Sequence, residues 1–223
     1  MRIKLKTPQA HTNSSQKWLL RQLNDPYVHK VKQHGYRSRA AFKLLEIDEK
    51  FHLLKSGSVI VDLGAAPGGW SQVAAQKIKP TKGGKIIAID LLPIDPILDV
   101  TILCLNFMEE TAPDQIQAHL TEKADILLSD MSPATCGIPN IDHIRIIALV
   151  EAAAEFAMHI LKPGGAFVAK VFQGGTQAEL LARLKQSFQK VQHFKPPASR
   201  KESAEIYLVA QGFRGNTTAY PNL

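Results

Sequence analysis

The sequence is poor in cysteine and contains no long apolar run, and both shortages exclude whole classes of protein. Its 223 residues include only two cysteines, Cys104 and Cys136, too few for a disulfide framework or a zinc cluster. No apolar run approaches the ~18 residues of a transmembrane helix, and the basic start, Met1–Lys6, lacks the apolar stretch of a signal peptide. We therefore expect a soluble, cytoplasmic protein that does not span a membrane and has no metal site.

Acidic residues are scarce relative to basic ones, and the imbalance is local. The chain has 27 Lys and Arg against 20 Asp and Glu, a net charge of +7. Residues 1–50 hold 11 basic and 4 acidic residues, which accounts for the whole excess, since residues 51–223 hold 16 of each. Charge confined to one segment indicates an electrostatic partner, either a nucleic acid or an anionic membrane.

The N-terminal part of the chain divides into a tail and a helical segment. Residues 1–16 lack hydrophobic periodicity, and we expect them to form a mobile basic tail. Residues 17–55 are basic and helical in pattern, with apolar positions at helical spacing in Ala40–Ile47 and Ser38 as the expected N-cap. We call residues 17–55 the leader and expect it to belong to the same domain as residues 56–223, whose length suits one core.

From residue 58 onward, apolar β-branched runs alternate with helical segments. The predicted strands are 58–64, 85–90, 100–105, 125–129, 166–172, 191–195 and 205–211. The predicted helices are 70–78, 114–123, 143–161 and 177–188, with a helix stop and turn at 162–165. This alternation predicts an α/β fold with a parallel sheet. No helix separates the last two strands, so we expect them to form a terminal antiparallel pair.

The most informative segment is the glycine-rich stretch Asp62–Ser71. It runs from strand to turn to helix, the arrangement by which α/β sheets bring backbone amides to a ligand; glycines that merely make the turn are the alternative. The spacing is not that of a dinucleotide loop, and Pro67 lacks an amide for a pyrophosphate, so S-adenosylmethionine fits better. We expect Asp62 to organise the loop and Asp90, which ends the next strand, to bind ribose hydroxyls.

Four ionisable residues stand in or beside apolar segments. Lys170 lies inside a predicted strand, where a lysine is costly to bury without a partner. Asp130 directly follows another strand, Glu205 opens the last one, and Lys43 lies in the leader. Taken alone, Lys43 and Glu205 are typical of solvated surface charges. Together the four suggest methyl transfer to a ribose hydroxyl, which needs alignment and a base such as a neutral lysine; which lysine is neutral stays open.

Six short segments, taken together, indicate a known family. They are Ser38–Leu44, Asp62–Gln72, Asp90–Pro93, Ser129–Pro133, Lys170–Gly174 and Glu205–Tyr207. In order and content they resemble the FtsJ/RrmJ family of S-adenosylmethionine-dependent RNA ribose 2′-O-methyltransferases, over about residues 17–212. The resemblance implies a Rossmann-like class I methyltransferase domain over residues 56–223, with a seven-stranded, mostly parallel sheet.

The resemblance also implies the site residues. A catalytic Lys–Asp–Lys–Glu tetrad falls on Lys43, Asp130, Lys170 and Glu205, with Lys170 as the base. Cofactor contacts fall on Gly68, Trp70, Asp90, Asp130 and Asn106, and we expect Asp62, Gly64 and Gly69 of the glycine-rich stretch to contribute to the same site. Asn106 stands where the family usually has an aspartate, but its amide oxygen can still accept a hydrogen bond from adenine. The basic charge of the leader, rather than the resemblance, leads us to expect RNA contacts at Lys30, Lys32, Arg37 and Arg39.

Within the family, the single-domain length and two of the segments look most like the bacterial enzyme that methylates a uridine in the A loop of large-subunit (23S) ribosomal RNA. This implies RNA as the partner, rather than DNA or a membrane, and we expect a monomer. A tRNA 2′-O-methyltransferase of the same family is one alternative.

Two further alternatives belong to other classes. A non-catalytic RNA-binding assembly factor would use the same basic leader, but degenerate family members usually lose part of the tetrad, and here all four residues are present. A cytosine C5-methyltransferase would use Cys136 as a thiolate nucleophile, but no second cysteine lies nearby in the sequence and the two lysines would then have no role.

Overall fold

A computed structural model describes residues 12, 15–16, 19–20, 23–79, 83–133, 137, 139–173 and 178–215. Most of the predicted tail and Cys136 lie outside the described residues. Among those that are described, no helix is long and apolar enough to cross a membrane. The same residues contain no group of three or more His, Cys, Asp or Glu side chains that could hold a metal ion.

Helices and strands alternate along the described chain, as the sequence predicts. The helices are α1 Pro26–His34, α2 Ala40–Phe51, α3 Gly69–Ile78, α4 Ala112–Ala118, α5 Pro139–Ile160 and α6 Ala178–Ser187. The strands are β1 Val59–Leu63, β2 Lys85–Asp90, β3 Val100–Cys104, β4 Ala124–Ser129, β5 Leu161–Phe172, β6 Phe188–Phe194 and β7 Glu205–Phe213.

The seven strands form one sheet in the order β3-β2-β1-β4-β5-β7-β6. The first five in this order are parallel, whereas β7 lies antiparallel between β5 and β6. The predicted fold class, a mostly parallel sheet with a terminal antiparallel pair, is confirmed. Because β7 sits beside β5, the last strand brings its side chains directly against those of Lys170 and its neighbours.

The strand order creates a crevice at the carboxyl ends of the central strands, which we call the carboxyl edge of the sheet. From β1 the chain moves outward to β2 and β3, then returns to β4 on the other side of β1. Ligands of open α/β sheets bind outside the carboxyl ends of the strands at such a reversal. Gly64 follows β1 and Asp130 follows β4 at this edge, and the amide of Asp130 donates to the carbonyl oxygen of Leu63 over 3.0 Å.

Both faces of the sheet are covered by apolar side chains. Along β1, Val59, Val61 and Leu63 pack in the cluster that includes residues of α4, α5 and α6. Ile60 points the opposite way, into a second cluster with α2 and α3, as the twofold alternation of a strand requires. The run from Val59 to Leu63 is buried at every position, which explains why it is apolar except at Asp62.

Several predicted boundaries differ from the structure, among them those of β5, β6 and α4. β5 begins at Leu161, so the segment predicted as a turn, 162–165, belongs to the strand, and the β4–β5 pairing shifts register between Ala124 and Ile126. β6 begins at Phe188, which pairs with Phe213, whereas the sequence pattern places Phe188 in the preceding helix. α4 covers 112–118 rather than 114–123. For the two strands, pairing with distant residues sets the boundary.

The leader contains two described helices joined by a turn. Asp25 is the N-cap of α1, and its side chain accepts a hydrogen bond from the amide of Tyr27. Gly35, which has φ +70°, is the C-cap of the same helix. The predicted N-cap role of Ser38 is wrong, because Arg39 occupies that position and no side chain caps α2. The Ser38 hydroxyl is instead buried without a hydrogen-bond partner.

Candidate active site

Two glycines shape the loop between β1 and α3, residues 64–68, which we call the glycine loop. Gly64 has φ +74°, and a Cβ there would lie 2.7 Å from the backbone nitrogen and Cα of Met131. Gly68 has φ +106° and precedes the first residue of α3, Gly69. At Gly64, only glycine combines such a dihedral angle with such close approach of another backbone. The loop therefore passes tightly between β1 and the chain that follows β4.

Asp62 lies beneath this loop rather than in the crevice. Its side chain is fully buried, and Oδ2 accepts a hydrogen bond from the hydroxyl of Ser71 over 2.6 Å, while Oδ1 has no partner. Burial raises the pKa of Asp62 to about 7, although the Ser71 hydrogen bond acts in the opposite direction. Through this hydrogen bond, Asp62 links β1 to the first turn of α3.

We predict that Asp62→Asn raises the free energy of unfolding above pH 7. The carboxyl titrates near pH 4 when unfolded and near pH 7 when folded. Between these values the unfolded chain loses its proton first, so stability falls as pH rises, by about a few kcal/mol in total. Asparagine keeps an acceptor for Ser71 but cannot ionise, so this fall should shrink. Denaturant unfolding at pH 4 to 8 tests it, with exposed Asp114→Asn as control; an unchanged profile in Asp62→Asn would contradict the prediction.

A cavity of about 300 Å³ opens at the carboxyl ends of β1, β2 and β4. It is lined by Gly64, Ala66, Ile89, Asp90, Leu91, Leu92, Leu105, Asn106, Phe107, Met108, Asp130, Met131, Ser132 and Leu149. Acidic and amide acceptors stand among apolar side chains, and these lining residues include no lysine or arginine. Such a lining suits a nucleoside that carries a cationic group better than it suits a phosphate. S-adenosylmethionine is such a molecule, because it joins an adenosine to a positively charged sulfonium, and it therefore fits this lining.

Asp90 and Asn106 lie in this cavity with part of their hydrogen-bonding capacity in use. Asp90 accepts from the amide of Ala66 through Oδ2 and from that of Leu92 through Oδ1, both over 2.9 Å. It therefore ties the glycine loop to the segment after β2. Asn106 accepts from the amide of Met108 over 3.1 Å. Each of these oxygens has a second lone pair, which remains for a ribose hydroxyl or an adenine amino group.

The Trp70 indole packs away from this cavity. The residue is 2% exposed, and its ring nitrogen donates to the carbonyl oxygen of Ala40 over 2.8 Å. The ring also contacts that of Tyr207, with 5.5 Å between the centroids. Trp70 thus joins the loop to α2, and it borders a small crevice shared with Ser38 and Gly69.

The four predicted tetrad residues lie in one hydrogen-bonded chain. Lys43 Nζ donates to Glu205 Oε2 and to the hydroxyl of Tyr207, each over 3.1 Å. The Tyr207 hydroxyl donates to Asp130 Oδ1 over 2.7 Å. Lys170 Nζ donates to the Asp130 carbonyl oxygen over 2.7 Å and lies 3.3 Å from Asp130 Oδ1. The chain therefore runs Glu205–Lys43–Tyr207–Asp130–Lys170, beside the cavity that Asp130 lines.

Strand pairing explains why these side chains meet. Lys170 of β5 stands directly opposite Tyr207 of β7, and Glu205 lies two residues earlier on the same strand and hence on the same face. Lys43 and Lys170 are only 8% and 5% exposed, so each needs the nearby carboxylate to offset the loss of water.

Tyr207 is a member of the site to which the sequence analysis assigns no role, although it lies in the segment Glu205–Tyr207. The residue is fully buried, and burial, with the charge of Asp130, holds the pKa of Tyr207 well above its usual value. The phenol therefore stays protonated, donates to Asp130 and accepts from Lys43. A signal is available in the sequence, because Tyr207 follows Glu205 by two residues in a strand.

The four predicted RNA-binding residues fall into two pairs. Lys30 and Lys32 are exposed on α1, and the Lys30 ammonium lies 5.1 Å from the ring centroid of Tyr27. Arg39 is instead engaged within the chain, with Nη2 donating to the Ala198 carbonyl oxygen over 2.6 Å. Arg37 likewise donates to backbone carbonyl oxygens. Contact of the two arginines with RNA remains a prediction. Because several of their N–H groups already donate to carbonyl oxygens of the chain, fewer donors remain for phosphate oxygens.

We predict that Gly64→Ala raises the Kd for the cofactor about tenfold or more, because a methyl group there meets the backbone of Met131 and strains a positive φ. Isothermal titration with S-adenosylmethionine measures this. Gly83→Ala is the matched control, because Gly83 has φ +91° but nothing within 4 Å of the added carbon. Equal Kd values for the two variants would contradict the prediction.

Comparison with known proteins extends these observations. A model of the FtsJ-like methyltransferase family matches residues 36–213. Ribosomal RNA large subunit methyltransferase E of Azorhizobium caulinodans is 58% identical over 217 residues, 97% of this chain and 90% of that protein. The protein of the same name from Paramagnetospirillum magneticum is 55% identical over 218 residues, 96% and 89% of the two chains.

A solved structure gives the same result. It is described as that of a ribosomal RNA methyltransferase from Plasmodium falciparum, and it aligns with a TM-score of 0.72 at 33% identity. The alignment covers 81% of this chain and 100% of that one. All four tetrad residues lie within the span that the family model matches. These matches identify the protein as a methyltransferase and support S-adenosylmethionine as the methyl donor. The chain belongs to the FtsJ-like methyltransferase family.

Proposed function

We propose that this protein methylates a ribose 2′-hydroxyl of large-subunit ribosomal RNA. The observation that carries the proposal is the buried hydrogen-bonded chain from Glu205 to Lys170, which ends beside the cavity at the sheet edge. Family membership and the names of the relatives support the reaction and the substrate class. The finer substrate that we propose is a uridine in the A loop of 23S ribosomal RNA.

The cavity residues would hold the cofactor. Asp90 suits the ribose hydroxyls and Asn106 the adenine, and Gly64 and Asp130 line the same cavity. When bound, S-adenosylmethionine supplies an electrophilic methyl group on its sulfonium. The chain's part is to align the ribose hydroxyl and to remove its proton.

Lys170 is placed to take that proton. Its Nζ contacts both the carbonyl oxygen and the carboxylate of Asp130. These contacts fix the direction of the remaining N–H bonds and, in the neutral amine, that of the lone pair. In its neutral form Nζ accepts the hydroxyl proton as the ribose oxygen attacks. Lys43 and Glu205 hold the far end of the chain and keep Tyr207 donating to Asp130.

The leader would bind the RNA backbone while supplying Lys43 to the site. Lys30 and Lys32 present exposed cations on α1, and Lys43 lies on the next helix, α2. Binding element and catalytic residue thus belong to one segment. We propose that the protein acts as a monomer in the cytoplasm, on the large subunit during its assembly.

We predict that Lys30→Ala with Lys32→Ala weakens RNA binding and lowers the slope of log Kd against log salt by about one for each phosphate that the two ammonium groups neutralise. Filter binding of a 23S RNA fragment at several salt concentrations measures the slope. Arg183→Ala removes an equally exposed cation from α6 and should leave the slope unchanged. A wild-type slope in the double variant would show that these lysines do not touch phosphate.

The function is tested with labelled S-adenosylmethionine and RNA from cells that lack the protein. Large subunits, free 23S RNA and tRNA are offered separately, and 2′-O-methylated positions are mapped by their resistance to alkaline hydrolysis. We expect label at one ribose of the large subunit. Label in tRNA alone would favour the tRNA alternative. Cofactor binding without label in any RNA would favour an assembly factor, and label on a base would exclude ribose methylation.

A further inference from the structure

Arg37 of the leader joins two segments that line the cofactor cavity, the loop between β1 and α3 and the segment after β2. Its Nη1 donates to the carbonyl oxygen of Asp95 over 2.6 Å and to that of Pro67 over 3.3 Å, and its Nη2 donates to that of Pro96 over 2.8 Å. Its backbone amide donates to the Gln72 side chain of α3 over 2.8 Å. The leader, the glycine loop and the segment after β2 thus meet at one guanidinium.

The segment after β2 forms a wall of the cavity but has little structure of its own. Residues 91–99 contain neither helix nor strand. Leu91 and Leu92 line the cavity, although they are 66% and 63% exposed overall. A wall made of irregular chain keeps its position only if contacts from outside hold it, and Arg37 provides such contacts at residues 95 and 96.

The same side chain packs against the glycine loop. A Cβ on Gly68 would meet the side chain of Ile97 at 2.7 Å and Arg37 Nη1 at 3.0 Å. The segment after β2, the guanidinium and the start of α3 are therefore in direct contact. Any shift of the arginine would move two sides of the cavity relative to each other.

The chemistry of the contact requires arginine rather than any cation. Guanidinium is planar and has five N–H donors in fixed directions, so it can hold several carbonyl oxygens at once. A lysine carries the same charge, but its compact ammonium cannot span the carbonyl groups of residues 67, 95 and 96 in the same geometry.

We propose that Arg37 is a positioning residue of the cofactor pocket, which holds the segment 91–97 against the glycine loop so that the methyl donor meets a preformed cavity. The proposal rests on the proposed function, since the cofactor is part of it. It gives Arg37 a role different from the phosphate contact that its charge and place in the leader suggest.

The test compares Arg37→Met, which keeps the aliphatic stem, with Arg37→Lys, which keeps the charge. Isothermal titration with S-adenosylmethionine, without RNA, should show Kd raised about tenfold in both variants. In the cofactor-free protein, amide hydrogen exchange over residues 91–97 should become faster in both. With saturating cofactor, kcat should stay within about threefold of wild type, since the reacting groups are untouched. Arg183→Met, at an exposed site on α6, should change none of these values.

The opposite pattern would overturn the proposal. If Arg37→Lys restores wild-type cofactor affinity and Arg37→Met lowers only RNA affinity and its salt slope, Arg37 is a phosphate ligand. Unchanged exchange over 91–97 in either variant would also overturn it. Failure of the proposed function looks different: the wild type would then bind cofactor in an Arg37-dependent way and methylate no ribosomal RNA.

Discussion

Replacing Lys170 with methionine should lower the rate of methyl transfer by about 10³- to 10⁴-fold, the contribution of a well-placed general base with its alignment. Methionine fills most of the buried volume, so the loss is that of the amine at the end of the hydrogen-bonded chain. The Asp130 carboxylate keeps its bond from Tyr207, and Asp90 and Asn106 are untouched. Cofactor affinity should therefore change little.

The rate is measured in a single turnover on large ribosomal subunits, and cofactor affinity by titration without RNA. Lys190→Met is the matched control, because Lys190 is an exposed lysine on β6 of the same sheet. Its rate should equal that of wild type. A wild-type rate in Lys170→Met would rule out Lys170 as the base and would turn attention to Lys43.

Much of the fold could be predicted because local pattern and global fold agree. The strand Val59–Leu63 is buried on both faces, so its apolar β-branched run shows at once in the sequence. The predicted ends of strands and helices were wrong where pairing with a residue distant in the sequence sets the end. Phe188 continues a helical pattern, yet it pairs with Phe213 and so begins β6. No window of sequence around residue 188 contains that partner.

In the site, too, some features could be predicted from the sequence and others depend on contacts between distant residues. The tetrad follows from a family pattern, and the structure brings its four members together. The link through Tyr207 depends on contacts between residues as far apart as Lys43 and Tyr207, separated by 164 positions. Charge alone also cannot say whether Arg37 meets a phosphate or a carbonyl oxygen; the packing of three segments decides that.

Replacing Tyr207 with phenylalanine should lower kcat by about 10²-fold, although the ring itself is kept whole. The ring still packs on Trp70, but Lys43 loses an acceptor and Asp130 loses a donor in a buried place. An unmade hydrogen bond to a charged group there costs about 1–3 kcal/mol. Tyr36→Phe makes the same chemical change where the hydroxyl donates to Gln76 near the surface, and its kcat should stay within about twofold of wild type.

A double-mutant cycle then separates two roles for the Tyr207 hydroxyl. If it acts by fixing Lys43, then Lys43→Met should remove its effect, and the double variant should be no slower than Lys43→Met alone. If it acts by orienting Asp130 toward Lys170, the two losses should instead multiply, because Asp130 loses its donor whether or not Lys43 is present. Equal kcat values for Tyr207→Phe and Tyr36→Phe would contradict both roles and leave the tetrad working without the tyrosine between its halves.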